Sequence, residues 1–164
     1  MFYLLDANVL IDANRDYYPL GRVPDFWEWL IDCGERGQAG MPLEMFEEVL
    51  AGKKDELTQW LKENRDVLLL DEEADQRLVA QVTERGYGQD LTEEEVERIG
   101  RDPFLIAYGL RDQANRVVVT TELSKPGKQG ANRHVPDVCS DLDVFNCHTF
   151  DLIERLDFTT TRQR

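Results

Sequence analysis

Four acidic residues are distributed along the chain in a pattern that could build a cation site. Asp6 follows the apolar run Phe2-Tyr3-Leu4-Leu5, and Glu48 lies four residues before Gly52. Asp102 precedes Pro103, and Glu122 follows Val117-Val118-Val119-Thr120-Thr121. Carboxylates gathered in one pocket repel one another, so either one is protonated at neutral pH or a divalent cation sits among them. Oxygen-only ligands suit Mg²⁺ or Mn²⁺. Such an ion can activate water and neutralise charge on a phosphodiester undergoing in-line attack. Asn8 and Thr120 stand where they can hold the carboxylates from behind. Each acid also has a plainer local use. Asp6 can simply end a strand, and Asp102 before Pro103 has the form of an N-cap with proline at N1. Glu48 can be a surface helix residue, with Glu44 and Glu47 competing for its role, and Glu122 can be a loop charge. It is the ordered placement of the set that points to a site.

The elements that must position these acids follow from the apolar pattern. Phe2 to Leu5 reads as a strand buried on both faces, with Asn8 as the N-cap of a helix directly after it. Pro24 opens a helix with Phe26, Trp27, Leu30 and Ile31 on one face, broken by the glycines from Gly34 onward. Gln38 to Met41 is weakly strand-like. Leu43 to about Asn64 is helical in two pieces divided at Gly52, and Val67 to Leu70 reads as another buried strand. An acidic amphipathic helix spans 72–85, stopped at Gly86-Tyr87-Gly88. Thr92 and Glu95 form a capping box. A helix from Asp102 to Asn115 leads into the clearest strand, Val117 to Thr121. A loop from Ser124 to Pro136, a strand near Val144 to Cys147 and a helix from Thr149 to Leu156 complete the order. Alternating strands and helices predict an α/β fold: a doubly wound, mostly parallel sheet of four to five strands flanked by helices in three layers. Strand ends and helix starts at one edge of such a sheet converge on a single crevice.

Bulk properties bound the rest. A chain of 164 residues predicts one domain, residues 1–158, with a C-terminal tail at 159–164. There are 19 Lys+Arg against 33 Asp+Glu, a formal charge of -14. That balance argues against general electrostatic capture of nucleic acid but leaves room for a local basic groove. Much of the excess lies in residues 71–97 and reads as a solvated helical face. Cys33, Cys139 and Cys147 show no C-x-x-C spacing, which predicts buried free thiols and a reducing compartment. No signal peptide and no apolar run long enough to cross a bilayer is apparent, so a cytoplasmic location away from membranes is expected.

The chain resembles a PIN domain, the nuclease fold of VapC-like toxins in prokaryotic toxin–antitoxin pairs. The resemblance rests on Leu5-Asp6-Ala7-Asn8-Val9-Leu10-Ile11, on Glu48-Val49 leading to Gly52, on Asp102 with Leu105-Ile106-Ala107, and on Val118-Val119-Thr120-Thr121-Glu122. Tyr17-Tyr18-Pro19, Phe26-Trp27 and Val135-Pro136-Asp137-Val138-Cys139 also resemble a less characterised PIN-like subfamily often encoded beside an antitoxin. The resemblance implies Mg²⁺- or Mn²⁺-dependent endoribonuclease activity, with Asp6, Glu48, Asp102 and Glu122 as the metal-binding and catalytic carboxylates. It also implies a homodimer and an antitoxin that blocks the acidic pocket. Ala7 stands where Thr or Ser is common, and Glu122 where Asp is usual. Either Glu122 or Asp137 supplies the fourth acid.

The segment Ser124 to His134 carries Lys125, Lys128 and Arg133 and no acid. Leaving the active edge beside Glu122, it is expected to contact RNA phosphates, with Lys53 and Lys54 as helpers. His134, His148, Cys139 and Cys147 do not have the spacing of a zinc finger. Trp27, Trp29 and Trp60 read as core or interface residues. Two other functions compete. A phosphoacceptor receiver domain would use Asp71, Thr120 or Thr121 and Lys125-Pro126, but that lysine follows the threonines too soon for the intervening helix and strand. A PIN-like scaffold without catalysis would use the acidic surface to bind a basic partner.

Overall fold

The computed structural model describes residues 1–160. The elements run β1 (Phe2–Leu5), α1 (Ala7–Asp12), α2 (Pro24–Glu35), β2 (Ala39–Gly40), α3 (Leu43–Ala51), α4 (Glu56–Glu63), α5 (Arg65–Leu68), α6 (Gln76–Val82), α7 (Glu93–Ile99), α8 (Asp102–Arg111), β3 (Arg116–Thr120), α9 (Val135–Asp141), β4 (Asn146–His148) and α10 (Thr149–Arg155). Both α1 and α6 continue into a π-helical turn, at Ala13–Tyr17 and Thr83–Tyr87.

All four strands are parallel, in the order β2-β1-β3-β4. The chain therefore leaves β1 toward one edge and later returns to its other side. Right-handed crossovers in opposite directions put helices on opposite faces, which makes the α/β sandwich doubly wound. Its switch point lies between β1 and β3, where Phe2 to Leu5 pair with Arg116 to Val119. Leu4, Leu5, Val118 and Val119 are fully buried, as strands covered on both faces require. At Gly109 on α8 an added Cβ would stand 2.7 Å from Val144 and 3.0 Å from Val118. Only glycine lets α8 lie this close to the sheet.

A second apolar layer closes over α2. Phe26 stacks on Tyr18 at 4.5 Å and meets Trp27, Trp29 and Phe158 at 5.2–5.6 Å between ring centroids. Trp27 and Trp29 donate their indole N–H groups to the carbonyls of Tyr18 and Leu156, and Trp60 lies edge-on to Trp27. Packing thus reaches Phe158. The tail expected at 159–164 lies outside the described residues from 161 onward.

Several local expectations need correction. Val67 to Leu70 is not a strand: Val67 and Leu68 donate to the Asn64 carbonyl in a helical turn, and one bridge, Met41 to Leu69, touches the sheet. A short apolar run cannot by itself distinguish a strand from a buried turn. Asn8 does not cap α1, because the helix begins two residues earlier than that cap would require, at Ala7, with Asp6 in the capping position. Asp102 lies inside the first turn of α8, with Arg101 as N-cap and Pro103 at the second helical position. The acidic helix is shorter than 72–85, since its first residues are tied elsewhere: Glu72 pairs with Arg116 and Arg111. The Ser124 to Pro136 loop contains a single 3₁₀ turn and gives way to α9 at Val135. The Thr92–Glu95 capping box is present.

Candidate active site of converging carboxylates

Asp6 is extended, with φ -65° and ψ 150°, and its amide donates to the Val119 carbonyl at 3.0 Å, one step beyond the β1–β3 ladder. Its carboxylate makes no capping bond to α1. Instead it turns across the switch point and accepts the Thr120 hydroxyl at 2.8 Å. Asp6 is 4% and Thr120 1% exposed, so this is a buried charge with one side-chain donor. Burial pushes Asp6 up to about 6; the Thr120 bond draws it down, while Glu48 and Glu122 push it up. The Asn8 amide also lowers it slightly, without completing a capping bond.

Asp102 faces the same space from the first turn of α8. Burial, followed by the charges of Asp6, Glu122 and Glu48, pushes it up to about 8. Glu48 comes from α3 and is raised by burial, against the opposing pull of Arg101. The three acids of α3 differ in surroundings. Glu48 interacts with Asp6 and Asp102, whereas Glu47 pairs with Arg101 at 3.1 Å. Glu44 faces the Tyr108 hydroxyl, which donates to the Glu72 carbonyl at 3.2 Å, and Glu44 Oε2 is buried without a partner.

Glu122 reaches the cluster just beyond β3. Its amide donates to Thr120 Oγ1 at 3.2 Å, and its Oε2 accepts the Val135 amide at 2.8 Å. Asp137 is directed differently. It accepts the Ser124 hydroxyl and, at 2.8 Å, the Lys125 amide. Slight desolvation raises Asp137, but those two bonds outweigh it and leave the carboxyl below its ordinary range. The structure therefore brings Asp6, Glu48, Asp102 and Glu122 together and uses Asp137 to anchor the following loop.

Two neighbours were invisible in the sequence. Tyr87, which read only as part of a Gly-Tyr-Gly helix stop, is 5% exposed, and its hydroxyl has no hydrogen-bond partner. Burial and the charges of Asp102, Cys139 and Glu122 hold that phenol far above its usual range. Arg101 anchors the helix bearing Asp102 by donating to the Glu44 carbonyl at 2.6 Å. A cation immediately before Asp102 was the available signal for Arg101; Tyr87 had none.

The basic segment splits into two parts. Lys125 and Lys128 are exposed. Arg133 is folded in, donating to the Gly86 and Asp137 carbonyls and pairing with Asp141. Lys53 and Lys54 are exposed in the α3–α4 connection. His134 Nδ1 lies 2.8 Å from the Leu123 carbonyl, and His148 caps α10. The three thiols are free and buried, and burial holds each above its ordinary pKa. An apolar cavity of about 340 Å³, with Ile11, Val49 and Leu57 in its wall, contains none of the four acids. The chemistry lies where the polar groups converge.

The four acids offer only oxygen, come from four separate elements and are close enough for their charges to interact. Among the described residues, no three Asp, Glu, His or Cys side chains already stand close enough to hold one ion. Mutual repulsion keeps ionised carboxylates apart until a cation or a proton offsets it. The donor set and the orphaned Tyr87 hydroxyl beside it fit a hard divalent cation with its water shell.

Among the described residues no helix is long and apolar enough to cross a membrane. No curated protein and no solved structure matches the chain. Residues 3–160 match the family described as "Domain of unknown function (DUF4411)", and the chain belongs to that family.

Proposed function

We propose that the protein is a divalent-metal-dependent endoribonuclease of PIN-like type, acting as the toxin of a toxin–antitoxin pair. One observation supports this reading: Asp6, Glu48, Asp102 and Glu122 lie close enough at the switch point for their charges to act on one another, and two of them are pushed well above ordinary carboxylate behaviour. Groups so perturbed, beside named charge partners in a cleft, mark candidate functional sites. Asp6, Glu48, Asp102 and Glu122 would hold Mg²⁺ or Mn²⁺. Bound there, the ion would supply a water activated for attack and charge neutralisation at the phosphate.

The chain's own residues do the rest. Thr120 fixes the Asp6 rotamer, and the Val135 amide fixes Glu122. Arg101 holds α8 against α3, keeping Asp102 and Glu48 on one side of the crevice. Tyr87, buried within range of the Asp102 and Glu122 charges, keeps an unpartnered O–H near these two acids. The exposed Lys125 and Lys128 can meet the backbone of RNA entering beside Glu122. A homodimer and a protein antitoxin covering the acidic crevice complete the proposal. The test is cleavage of mixed RNAs by purified protein with Mn²⁺, with EDTA and as Asp6→Asn. Metal-dependent cleavage lost in the variant supports the nuclease. Folded protein inert on every RNA supports instead an acidic binding protein for a basic partner.

A further inference from the structure

A cleft of about 120 Å³ lies beside the acidic crevice at the same edge of the sheet, with Tyr17, Thr121, His148 and Thr149 in its wall. Thr120, which holds Asp6, pairs in register with His148 across β3 and β4. The cleft is therefore one strand away from the carboxylates. Phe150 stands next to two of the lining residues, outside the cleft itself: its ring lies 5.1 Å from that of Tyr17 at 79° and stacks on the His148 ring at 5.3 Å. Tyr17 is 51% and Phe150 44% exposed. Thr149 is buried in the wall, and its hydroxyl lacks any hydrogen-bond partner. The local charge disfavours phosphate, since Arg15 is neutralised by Asp12 and Asp16. Those two carboxylates accept hydrogen bonds and also line the cleft. A neutral, flat group carrying N–H donors matches all of these features.

We infer that this cleft takes one unpaired nucleobase of the substrate strand, stacked on Phe150 at its mouth with Tyr17 edge-on beside it, so that the adjoining phosphate is presented to the carboxylates. The inference deepens the ribonuclease reading and rests on it. It adds that a base next to the cut is held by stacking in a defined cleft. Such stacking tolerates any base because each has a π-face. Asp12 and Asp16 favour bases with exocyclic amino groups.

The test reads binding separately from cleavage. Fluorescence anisotropy of labelled hexanucleotide RNA is measured in EDTA on Asp6→Asn protein, with and without Phe150→Ala, alongside oligonucleotides carrying one abasic residue at each position. The expected result is about tenfold weaker binding for Phe150→Ala, the magnitude of one lost base–aromatic contact. Phe150→Tyr restores binding, one abasic position weakens it equally, and duplex RNA fails to compete. In otherwise wild-type protein, Phe150→Ala raises KM with little change in kcat. Equal binding by Phe150→Ala and wild-type side chains, or indifference to every abasic position, overturns the inference even if RNA is cleaved. Loss of self-association in Phe150→Ala with RNA binding unchanged overturns it too, by assigning the aromatic pair to a second copy. Stacking-dependent binding without cleavage in any metal sustains the cleft and removes the nuclease reading.

Discussion

Thr120 Oγ1 donates to Asp6 Oδ2 across the gap between β3 and β1, and accepts the Glu122 amide on its other side. One hydroxyl thus ties two of the four acids to the switch point. Thr120→Val keeps the shape and removes the donor. Because this bond lowers the Asp6 pKa, its loss moves the carboxyl further above about 6. Cleavage at pH 6.5 should fall and partly recover at higher pH, with the acidic limb of the pH–rate profile displaced upward. Thr120→Ser should behave as wild type. A hydrogen bond to a charged group of this kind stabilises by about 2 kcal/mol, which urea unfolding at neutral pH will report.

The metal-free protein should become less stable as pH rises. Asp6 at about 6 and Asp102 at about 8 both lie above their ordinary value of 3.8. Between the ordinary and the folded value the native state binds more protons than the unfolded chain, so stability declines with pH. The contribution of Asp102 is complete below 3.8 and lost above about 8. Asp102→Asn should flatten this slope and stabilise the apo protein by roughly 2 kcal/mol at pH 8. If Mn²⁺ raises the Tm of the wild type, as the proposed site requires, the same substitution should abolish that rise.

Tyr87→Phe separates a structural from a functional role for the orphaned hydroxyl. A buried O–H without a partner costs stability, so its removal should leave Tm unchanged or raise stability by about 1 kcal/mol. If the hydroxyl supports the neighbouring carboxylates, kcat falls although the fold is firmer. Unchanged kcat would assign Tyr87 to packing alone.

The basic segment should divide by function. Lys125→Gln with Lys128→Gln should weaken RNA binding for all sequences and reduce the slope of log affinity against log salt by about 1.4, about 0.7 for each phosphate contact of a single strand. Arg133→Gln should act on stability instead, because Arg133 ties Gly86 and Asp137 to Asp141. Equal salt slopes in wild type and the double variant would exclude phosphate contact by these lysines.

The parallel α/β architecture was legible from residue order. Apolar runs at Phe2 to Leu5 and Val117 to Thr120, proline at the start of α2 and the Thr92–Glu95 box are short-range signals, and the fold respects them. Val67 to Leu70 misled because its apolar composition serves a buried turn as well as a strand. The cap that Asp-Pro suggests falls instead to Arg101, which leaves Asp102 in the first turn of α8.

By itself, then, the sequence determined the alternation of strands and helices and the positions along the chain at which acids could meet, since both follow from neighbours a few residues apart. Only the tertiary structure set the charge of Glu48 against Asp6 and Asp102 while pairing Glu47 with Arg101, gave Asp137 to the loop, folded Arg133 inward and buried the Tyr87 hydroxyl without a partner. Those choices depend on contacts such as Arg101 to the Glu44 carbonyl, 57 residues apart. Which side of a helix faces a crevice is fixed by packing between distant elements, and no local spacing encodes it.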